Sequence, residues 1–414
     1  EGAIYFENTI FDDWVNFGGS TINGTASFRC SVFNGDAYFA NAAFMDNAYF
    51  GNSVFNRVAN FGDSKFYRDA YFGGSAFNDS AFFYLSYFNG GAYFKFADFN
   101  SMVDFAGSKF DYYADFSRAI FRRYAYFSSL SSKDRVYFDG SMFNDTADFE
   151  VSSFNISDFS SSQFNKQVSF DDVHFDGSTL FNSTRFKEDT SFEGADFNGT
   201  LYLDRAKYDK LYISWKNIKE LGYDDAAYLA LLENFKKLGY FEDYDACYYD
   251  YRQQHREQDW SGGYHAMHPA EEYARKRIDA LLDFFYGYGK KPLWPLLWSA
   301  GTILIFGIIW LVSGMNGRRG KNGRSIFERF GQQNARAKHR HRDWWGGARA
   351  LADAMLFSAT VFLSGTRLFV EPPAQPEMRR ISANQVKWAM IFERVLGALF
   401  SILFFLAISG TVVR

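Results

Sequence analysis

The sequence is poor in the residues that build disulfide frameworks, metal centres and chain breaks. Its 414 residues include two Cys, six His and six Pro. Cys30 and Cys247 lie too far apart in sequence to form a disulfide framework or a metal cluster, and no His occurs in the H-E-x-x-H spacing of a zinc enzyme. Adjacent acids such as Asp12 and Asp13 are typical of solvated turns. We therefore expect neither an enzyme nor a metal site, and the sequence predicts no cofactor.

The net charge of −4 conceals a difference between the two parts of the chain. Residues 1–210 carry 17 Lys and Arg against 28 Asp and Glu, whereas the remaining residues carry 27 against 20. The mean hydropathy of −0.27 likewise averages a polar first half with an apolar end. Neither average excludes a membrane segment.

Aromatic residues are abundant, with 50 Phe and 27 Tyr. Phe recurs with an unbroken period of eleven from Phe6 to Phe149, and a second series of the same period starts at Phe11, so the spacing alternates between five and six. Ile22 and Ser132 stand where the second series lacks Phe. Such spacing fits neither the period of a helix nor that of a simple strand. It predicts a solenoid, in which each coil sends its Phe rings inward onto the coil below.

The series shifts once, after Phe154, where the next Phe is Phe159 and comes one residue early. The pattern then continues to Tyr208. A small residue often stands two positions before Phe, as do Ala37 and Ser75, because a narrow interior holds a large ring only beside a small neighbour. Asn, Asp, Gly and Ser at the other positions suit tight corners.

These features resemble the pentapeptide-repeat family, whose signature is a small residue, any residue, then Leu or Phe and two more. The resemblance covers residues 1–210 and implies a right-handed, four-sided β-helix. The extra residue in every second repeat gives about 22 residues per coil instead of about 20. We expect roughly nine to ten coils and, at about 4.8 Å per coil, a length of roughly 45 Å.

Residues 211–290 are predicted to form a helical connector. Apolar side chains recur at spacings of three and four, and further helical runs cover about 246–258 and 271–285. We expect the connector to pack on the last coil or to pair with copies of itself. The apolar face of its first helix consists of Tyr228, Leu231, Leu232 and Phe235.

Residues 291–414 are predicted to form a membrane domain. The stretches 293–313 and 395–413 contain no charge and are long enough to span a bilayer, although buried core helices are the alternative. Between them, residues 351–370 are moderately apolar but carry Asp353 and Arg367. A full span is one alternative, and a re-entrant helix at about 351–364 is the other. Because a charge near the bilayer centre is costly, we expect this helix to enter the membrane partway and return.

A second resemblance covers nearly the whole chain. The stretch from Leu231 to Arg252 and the residues from Tyr288 to Leu293 look like membrane-anchored pentapeptide-repeat proteins that end in a two-helix, potassium-channel-like domain. The resemblance implies a tetrameric pore. A potassium filter would read T-V-G-Y-G, so potassium selectivity does not carry over. The filter candidates are Thr360, Leu363, Ser364, Gly365, Thr366 and Arg367, and the pore-lining candidates are Gly397, Ala398 and Ser401.

A close helix–helix contact is the other interpretation of the small residues at 397, 398 and 401. Two further charged residues, Glu393 and Arg394, are interpreted as anchors of the last span at the membrane interface, with gating of a pore as the alternative. Neither interpretation involves a bound metal.

The side of the membrane is predicted from the loop 316–349, which carries ten Lys and Arg against two acids. The positive-inside rule keeps such a loop cytoplasmic, so the β-helix is expected outside the cell. This orientation is the reverse of the usual potassium channel and resembles that of ionotropic glutamate receptors. Six N-x-S/T sequons agree with export but arise easily in Asn-rich turns; they begin at Asn23, Asn78, Asn144, Asn155, Asn182 and Asn198.

Three functions remain open at this point. The first is a multi-pass channel-like protein of the cell membrane, a homotetramer in the lipid bilayer that carries a β-helical ectodomain and conducts cations through a non-standard filter. The second is a non-conducting surface protein anchored by the same domain. The third is a DNA mimic, suggested by the acidic repeats. Against it, the acidic faces are broken by Arg68, Lys95, Arg122, Arg123 and Lys166, and no nucleic-acid partner is expected.

Overall fold

The computed structural model describes residues 2–257, 269–289, 291, 293–315, 344–366, 371, 373, 375–376 and 380–409. The chain divides into two compact units, Glu1–His255 and Arg256–Arg414. Among the described residues, the first contains the strands, a short 3₁₀ helix (Trp215–Asn217) and two α-helices, and the second is helical.

The first unit is a parallel β-solenoid of about ten turns, as the Phe spacing predicts. Nearly all strands are two residues long, and four of them follow one another in each turn. The strands β1 to β36 are, in order, Ile4–Tyr5, Ile10–Phe11, Val15–Asn16, Thr21–Ile22, Ala26–Ser27, Val32–Phe33, Ala37–Tyr38, Ala43–Phe44, Ala48–Tyr49, Val54–Phe55, Ala59–Asn60, Lys65–Phe66, Ala70–Tyr71, Ala76–Phe77, Ala81–Phe82, Tyr87–Phe88, Ala92–Tyr93, Asp98–Phe99, Val103–Asp104, Lys109–Phe110, Ala114–Asp115, Ile120–Phe121, Ala125–Tyr126, Ser131–Tyr137, Met142–Phe143, Ala147–Asp148, Ser153–Asp158, Gln163–Phe164, Val168–Ser169, His174–Phe175, Thr179–Leu180, Arg185–Phe186, Thr190–Ser191, Asp196–Tyr202, Leu211–Tyr212 and Ile218–Leu221.

Strand pairing repeats with a constant offset of one coil. Val54 lies opposite Val32 in one direction and Ala76 in the other, all in parallel register. The same offset runs through most of the three sheets, which have 17, 9 and 10 strands. The strands continue to Leu221, past the predicted boundary at residue 210.

The Phe rings form the interior of the solenoid. Phe94 is fully buried; its ring stacks on Phe72 at 4.8 Å and on Phe116 at 4.9 Å, with interplanar angles of 1° and 6°. Two further neighbours, Phe83 and Phe105, meet it edge to face at 5.2 and 5.1 Å. Both arrangements suit the ring quadrupole, so each ring contributes more than its buried area.

The small residues before Phe are also buried. Ala70 leaves room for a ring, whereas Ser75 adds a hydrogen bond, since its hydroxyl donates to the carbonyl O of Phe50 on the neighbouring coil at 2.6 Å. Equivalent serines repeat this bond along the solenoid. The sequence predicts the small size of these residues but not the bond.

The shift after Phe154 shortens one coil by one residue. Ser132 pairs with Phe154, at the same offset as in the earlier coils, whereas Tyr137 pairs with Asp158, which comes one residue earlier than that offset requires. The long strand β24 contains this irregularity, and the Phe ladder continues across it, with Phe138 stacked on Phe159 at 5.0 Å.

Two helices close the C-terminal end of the solenoid. Helix α1 (Asp225–Leu238) begins at Asp224, whose carboxylate accepts a hydrogen bond from the Ala227 amide, and ends at Gly239 in a left-handed conformation with φ of 75°. Helix α2 (Phe241–Glu257) follows it. The predicted apolar face of α1 is buried in the same core as the Phe ladder, which confirms that this helix packs on the last coils.

The side-chain amide of Asn234 on α1 forms with Leu211 the two hydrogen bonds that the backbone of a further strand would form. Its side-chain oxygen accepts from the Leu211 amide at 2.9 Å, and its side-chain nitrogen donates to the Leu211 carbonyl at 2.8 Å. We expect Asn234→Ala to leave both buried backbone groups unpaired and to destabilise this end by about 2 kcal/mol. Hydrogen exchange of residues 211–221 should then accelerate roughly 30-fold. Exposed Lys236→Ala is the control, and equal exchange in both variants would contradict the capping role.

Among its described residues, the second unit contains four helices and a short turn. They are α3 (Pro269–Tyr286), a 3₁₀ turn (Gly287–Gly289), α4 (Trp294–Val312), α5 (Trp344–Leu363) and α6 (Ala383–Ser409). Helix α4 agrees with the predicted span 293–313. Helix α6 begins well before the predicted 395. The prediction followed an uncharged run, whereas the charged residues Lys387, Glu393 and Arg394 also lie within the helix. The last residues of the predicted span lie outside the described residues.

Helices α5 and α6 both run antiparallel to α4. Along α5, Met355 packs on Gly307 and the Ser358 hydroxyl donates to the Ile303 carbonyl. Later residues of α5 therefore contact earlier residues of α4. Along α6, Met390 shares a cluster with Trp310, and Phe400 shares another with Trp298. Consequently α5 and α6 run parallel to each other, and the chain between them must double back.

Candidate functional site in the helical unit

Glu393 is a buried acid between the three helices. Its side chain is fully buried; Trp310 Nε1 donates to Oε2 at 3.0 Å, and the Ser358 hydroxyl donates to Oε1. Trp310 belongs to α4, Ser358 to α5 and Glu393 to α6. One carboxyl group therefore links all three helices.

The predicted role of Glu393 as an interfacial anchor differs from its position in the structure. It lies inside α6 and faces the neighbouring helices rather than the start of a span. The sequence does carry a signal for this position, because buried residues of α6 recur at spacings of three and four. They are Val386, Met390, Glu393, Gly397, Phe400 and Leu403.

The predicted filter turn follows directly on α5. The Ser364 amide donates to the Thr360 carbonyl and the Gly365 amide to the Phe362 carbonyl, both at 3.1 Å, so the last helical turn is closed. Ser364 is fully buried, and its hydroxyl donates to the Val361 carbonyl at 2.7 Å. The Ser364 hydroxyl is thus already hydrogen-bonded to the backbone of its own helix.

The other filter candidates differ in exposure. Leu363 is exposed, and Thr360 and Thr366 are partly buried. The Thr360 hydroxyl donates to the Leu356 carbonyl at 2.7 Å, as threonines within helices often do. Arg367 lies outside the described residues. Their assignment to a filter stays a prediction.

Gly397 lies where α5 and α6 come closest. A Cβ at this position would collide with the Phe362 carbonyl and lie 2.8 Å from its carbon. A Cβ on Gly365 would likewise collide with the Arg394 carbonyl and lie 2.7 Å from the Ala398 amide. Two glycines therefore allow the end of α5 to touch the middle of α6, whereas Ser401, one turn further on, is partly buried.

Arg380 marks where the chain returns before α6. Its amide donates to the Ser313 carbonyl, and its guanidinium donates to the Val312 carbonyl, both at 3.2 Å. Both carbonyls lie at the end of α4. The chain has thus returned to the level at which α4 ends, although α5 ends opposite Gly397.

The outer surface of these helices is apolar. Two helical segments are long and apolar enough to cross a membrane by length and composition, Trp294–Val312 and Ala383–Leu406, each with a mean hydropathy of 2.0. Only 17% and 28% of their most apolar windows are buried within the chain. Leu297 and Val395, for example, are 67% and 57% exposed. A third apolar helix, Ala350–Leu363, is shorter.

The described residues contain no group of three or more His, Cys, Asp or Glu side chains arranged to hold a metal ion.

Comparison with known proteins identifies the repeats. The family model described as pentapeptide repeats, in nine copies, matches residues 83–129 and 159–207. These ranges are therefore pentapeptide repeats, and the unmatched residues between them contain the long strands β24 and β27 and the shortened coil. No curated protein and no solved structure matches the chain.

Proposed function

We propose that the chain is a multi-pass protein of the cell membrane, in which the second unit forms a channel-like domain and the first presents a pentapeptide-repeat solenoid at the membrane surface. For the solenoid we infer four-sided, right-handed coils, because four short strands follow one another in each turn. The channel-like function is supported by one observation: α5 ends partway along α6, and the chain then returns to the end of α4 before α6 begins.

Membrane insertion is supported by where the apolar side chains point. A core helix of a soluble protein would bury most of its apolar surface, whereas α4 and α6 expose theirs to the outside of the unit. The 19 residues of α4 give about 28 Å of helix at 1.5 Å per residue, close to the roughly 30 Å of a bilayer core. Lipid chains are the partner that fits this surface.

A re-entrant path is supported by the two ends of the segment between α5 and α6. Helix α5 stops opposite Gly397, near the middle of Ala383–Leu406, and Arg380 then meets the end of α4. A helix that crossed the bilayer would leave Arg380 on the far side. Span, half-helix and span is the layout of a two-helix pore.

Assembly around a shared axis follows from this path. Irregular backbone at membrane depth is tolerated only where protein or water covers it, and within one chain Gly365 and Thr366 are only partly covered. Four copies around an axis would cover it and would bring together the candidates Thr360, Leu363, Gly365 and Thr366. Ions would pass between the copies.

Single-channel recording of the purified protein in planar bilayers tests conduction. We expect discrete openings that Thr366→Trp abolishes, because an indole beside the turn obstructs the path. Ile308→Trp, on the outer surface of α4, is the matched control and should conduct normally. Silence of the unmodified protein over a range of ions, voltages and tensions would refute conduction.

A non-conducting anchor is the second candidate. It is favoured because these polar side chains already form hydrogen bonds within one chain. Glu393 accepts from Trp310 and Ser358, and the Ser364 hydroxyl donates to the Val361 carbonyl. Such a unit would hold the solenoid at the membrane with no aqueous path. A silent protein that remains a stable tetramer in detergent would support this function.

The two cysteines provide a test of sidedness. Cys30 is exposed, whereas Cys247 is buried between α2 and the solenoid, where burial and the nearby Asp250 and Asp243 raise the pKa of its thiol. Since thiolates are the reactive species, only Cys30 should react in the folded protein. We expect a membrane-impermeant maleimide to label intact cells, because the solenoid is outside, and Cys30→Ser to abolish the signal. Labelling only after lysis would place the solenoid inside.

A further inference from the structure

Three polar residues of α6 lie on one stripe of the helix. Lys387, Arg394 and Ser401 are spaced by seven residues, which is almost two helical turns, so they share a face. Lys387 is exposed, and the other two are partly buried. Ala398 adjoins this stripe. The predicted pore-lining positions 398 and 401 therefore lie beside two cationic side chains.

The stripe passes the turn that follows α5. Gly365 contacts the backbone of α6 at Arg394 and Ala398. Arg394 is thus level with the predicted filter, near the middle of the span. Its Nε is buried and has no hydrogen-bond partner among the described residues. A guanidinium at this depth is stabilised by an anion that accepts its hydrogen bonds.

The acids of the three helices do not oppose this charge. Helices α4, α5 and α6 contain only Asp353 and Glu393 as acids. Both oxygens of Glu393 accept hydrogen bonds from the chain itself, and its side chain faces the interior. Asp353 is exposed on α5 next to Ala354, which packs near Val386, and thus lies towards the start of α6 rather than at the turn.

We propose that the pore selects small inorganic anions such as chloride over cations, with Arg394 as the side chain that determines selectivity. The proposal rests on the channel-like function and reverses the cation preference expected from the sequence. A ring of Arg side chains, one from each copy, gives the narrow level of the path a positive potential, as in anion pores. Lys387 raises the local anion concentration nearer the start of α6.

Reversal potentials of the full chain in bilayers test the proposal, measured with a KCl gradient. We expect the current through the unmodified protein to reverse at a potential shifted from zero towards the chloride equilibrium potential. Replacement of chloride by gluconate should reduce this current. Arg394→Gln should lose or invert this selectivity, Arg394→Lys should keep it, and Arg277→Gln, on the exposed surface of α3, should not change it.

The outcomes separate the two proposals. Currents that reverse on the potassium side in the unmodified protein would overturn anion selectivity and leave the channel function standing. Absence of current would overturn both. Should Arg394→Gln fail to fold, the gluconate substitution in the unmodified protein still decides for or against the anion.

Discussion

Replacing Phe94 with Ala is expected to lower the free energy of unfolding of the solenoid by about 3–5 kcal/mol. The ring is fully buried and touches the rings of Phe72, Phe83, Phe105 and Phe116, so its removal leaves a cavity in a core that cannot collapse without breaking strand register. Denaturant unfolding in detergent, followed by circular dichroism and proteolysis, measures the loss.

Phe96 provides the matched control for this substitution, since it lies two residues away on the same coil. Its ring is 52% exposed, and the residue adopts a φ of 60°, in the left-handed region that does not favour Phe. Phe96→Ala should therefore change stability by less than about 1 kcal/mol. Similar losses in the two variants would mean that the ladder is not the source of the stability.

Replacing Gly397 with Ala is expected to destabilise the helical unit by about 2–3 kcal/mol. The added methyl group would collide with the carbonyl of Phe362, which belongs to the backbone of α5 and cannot rotate away. The helices must separate, and this movement also strains the hydrogen bonds of Glu393 to Trp310 and Ser358. Thermal unfolding in detergent would measure the change.

Gly301 of α4 is the control for this second substitution. A Cβ there would meet no atom within 4 Å, so Gly301→Ala should stabilise the helix by up to about 1 kcal/mol. The two variants are thus expected to change stability in opposite directions. Tolerance of Ala at 397 would instead favour the interpretation that this residue faces an open pore.

Much of the solenoid can be predicted from its sequence because one repeating contact builds it. Phe94 and Phe116 are separated by one full coil of sequence and stack on each other. The period of Phe in the sequence therefore directly predicts the length of a coil. The early Phe159 marks in the sequence the place where the structure has a shortened coil. The hydroxyl bond of Ser75 could not be predicted, since Ala at equivalent positions satisfies the same size requirement without it.

The helical unit is harder to predict because its decisive contacts join residues far apart in sequence. Hydropathy finds α4, but a window without charges starts the last span at 395 and so leaves out Glu393, whose burial depends on Trp310, 83 residues away. The return of the chain to Ser313 at Arg380 also has no local signal. The assignments of Thr360, Leu363, Thr366 and Ala398 to a pore remain predictions.

The parallel pairing of the coils also determines how the solenoid bears force. The hydrogen bonds between neighbouring coils point along its length, and each coil contacts only the next ones. Tension applied to its two ends would load these bonds in series, so the weakest terminal coil yields first and each later coil in turn. Every coil that opens releases roughly 70 Å of extended chain, compared with the rise of about 4.8 Å that it occupied when folded.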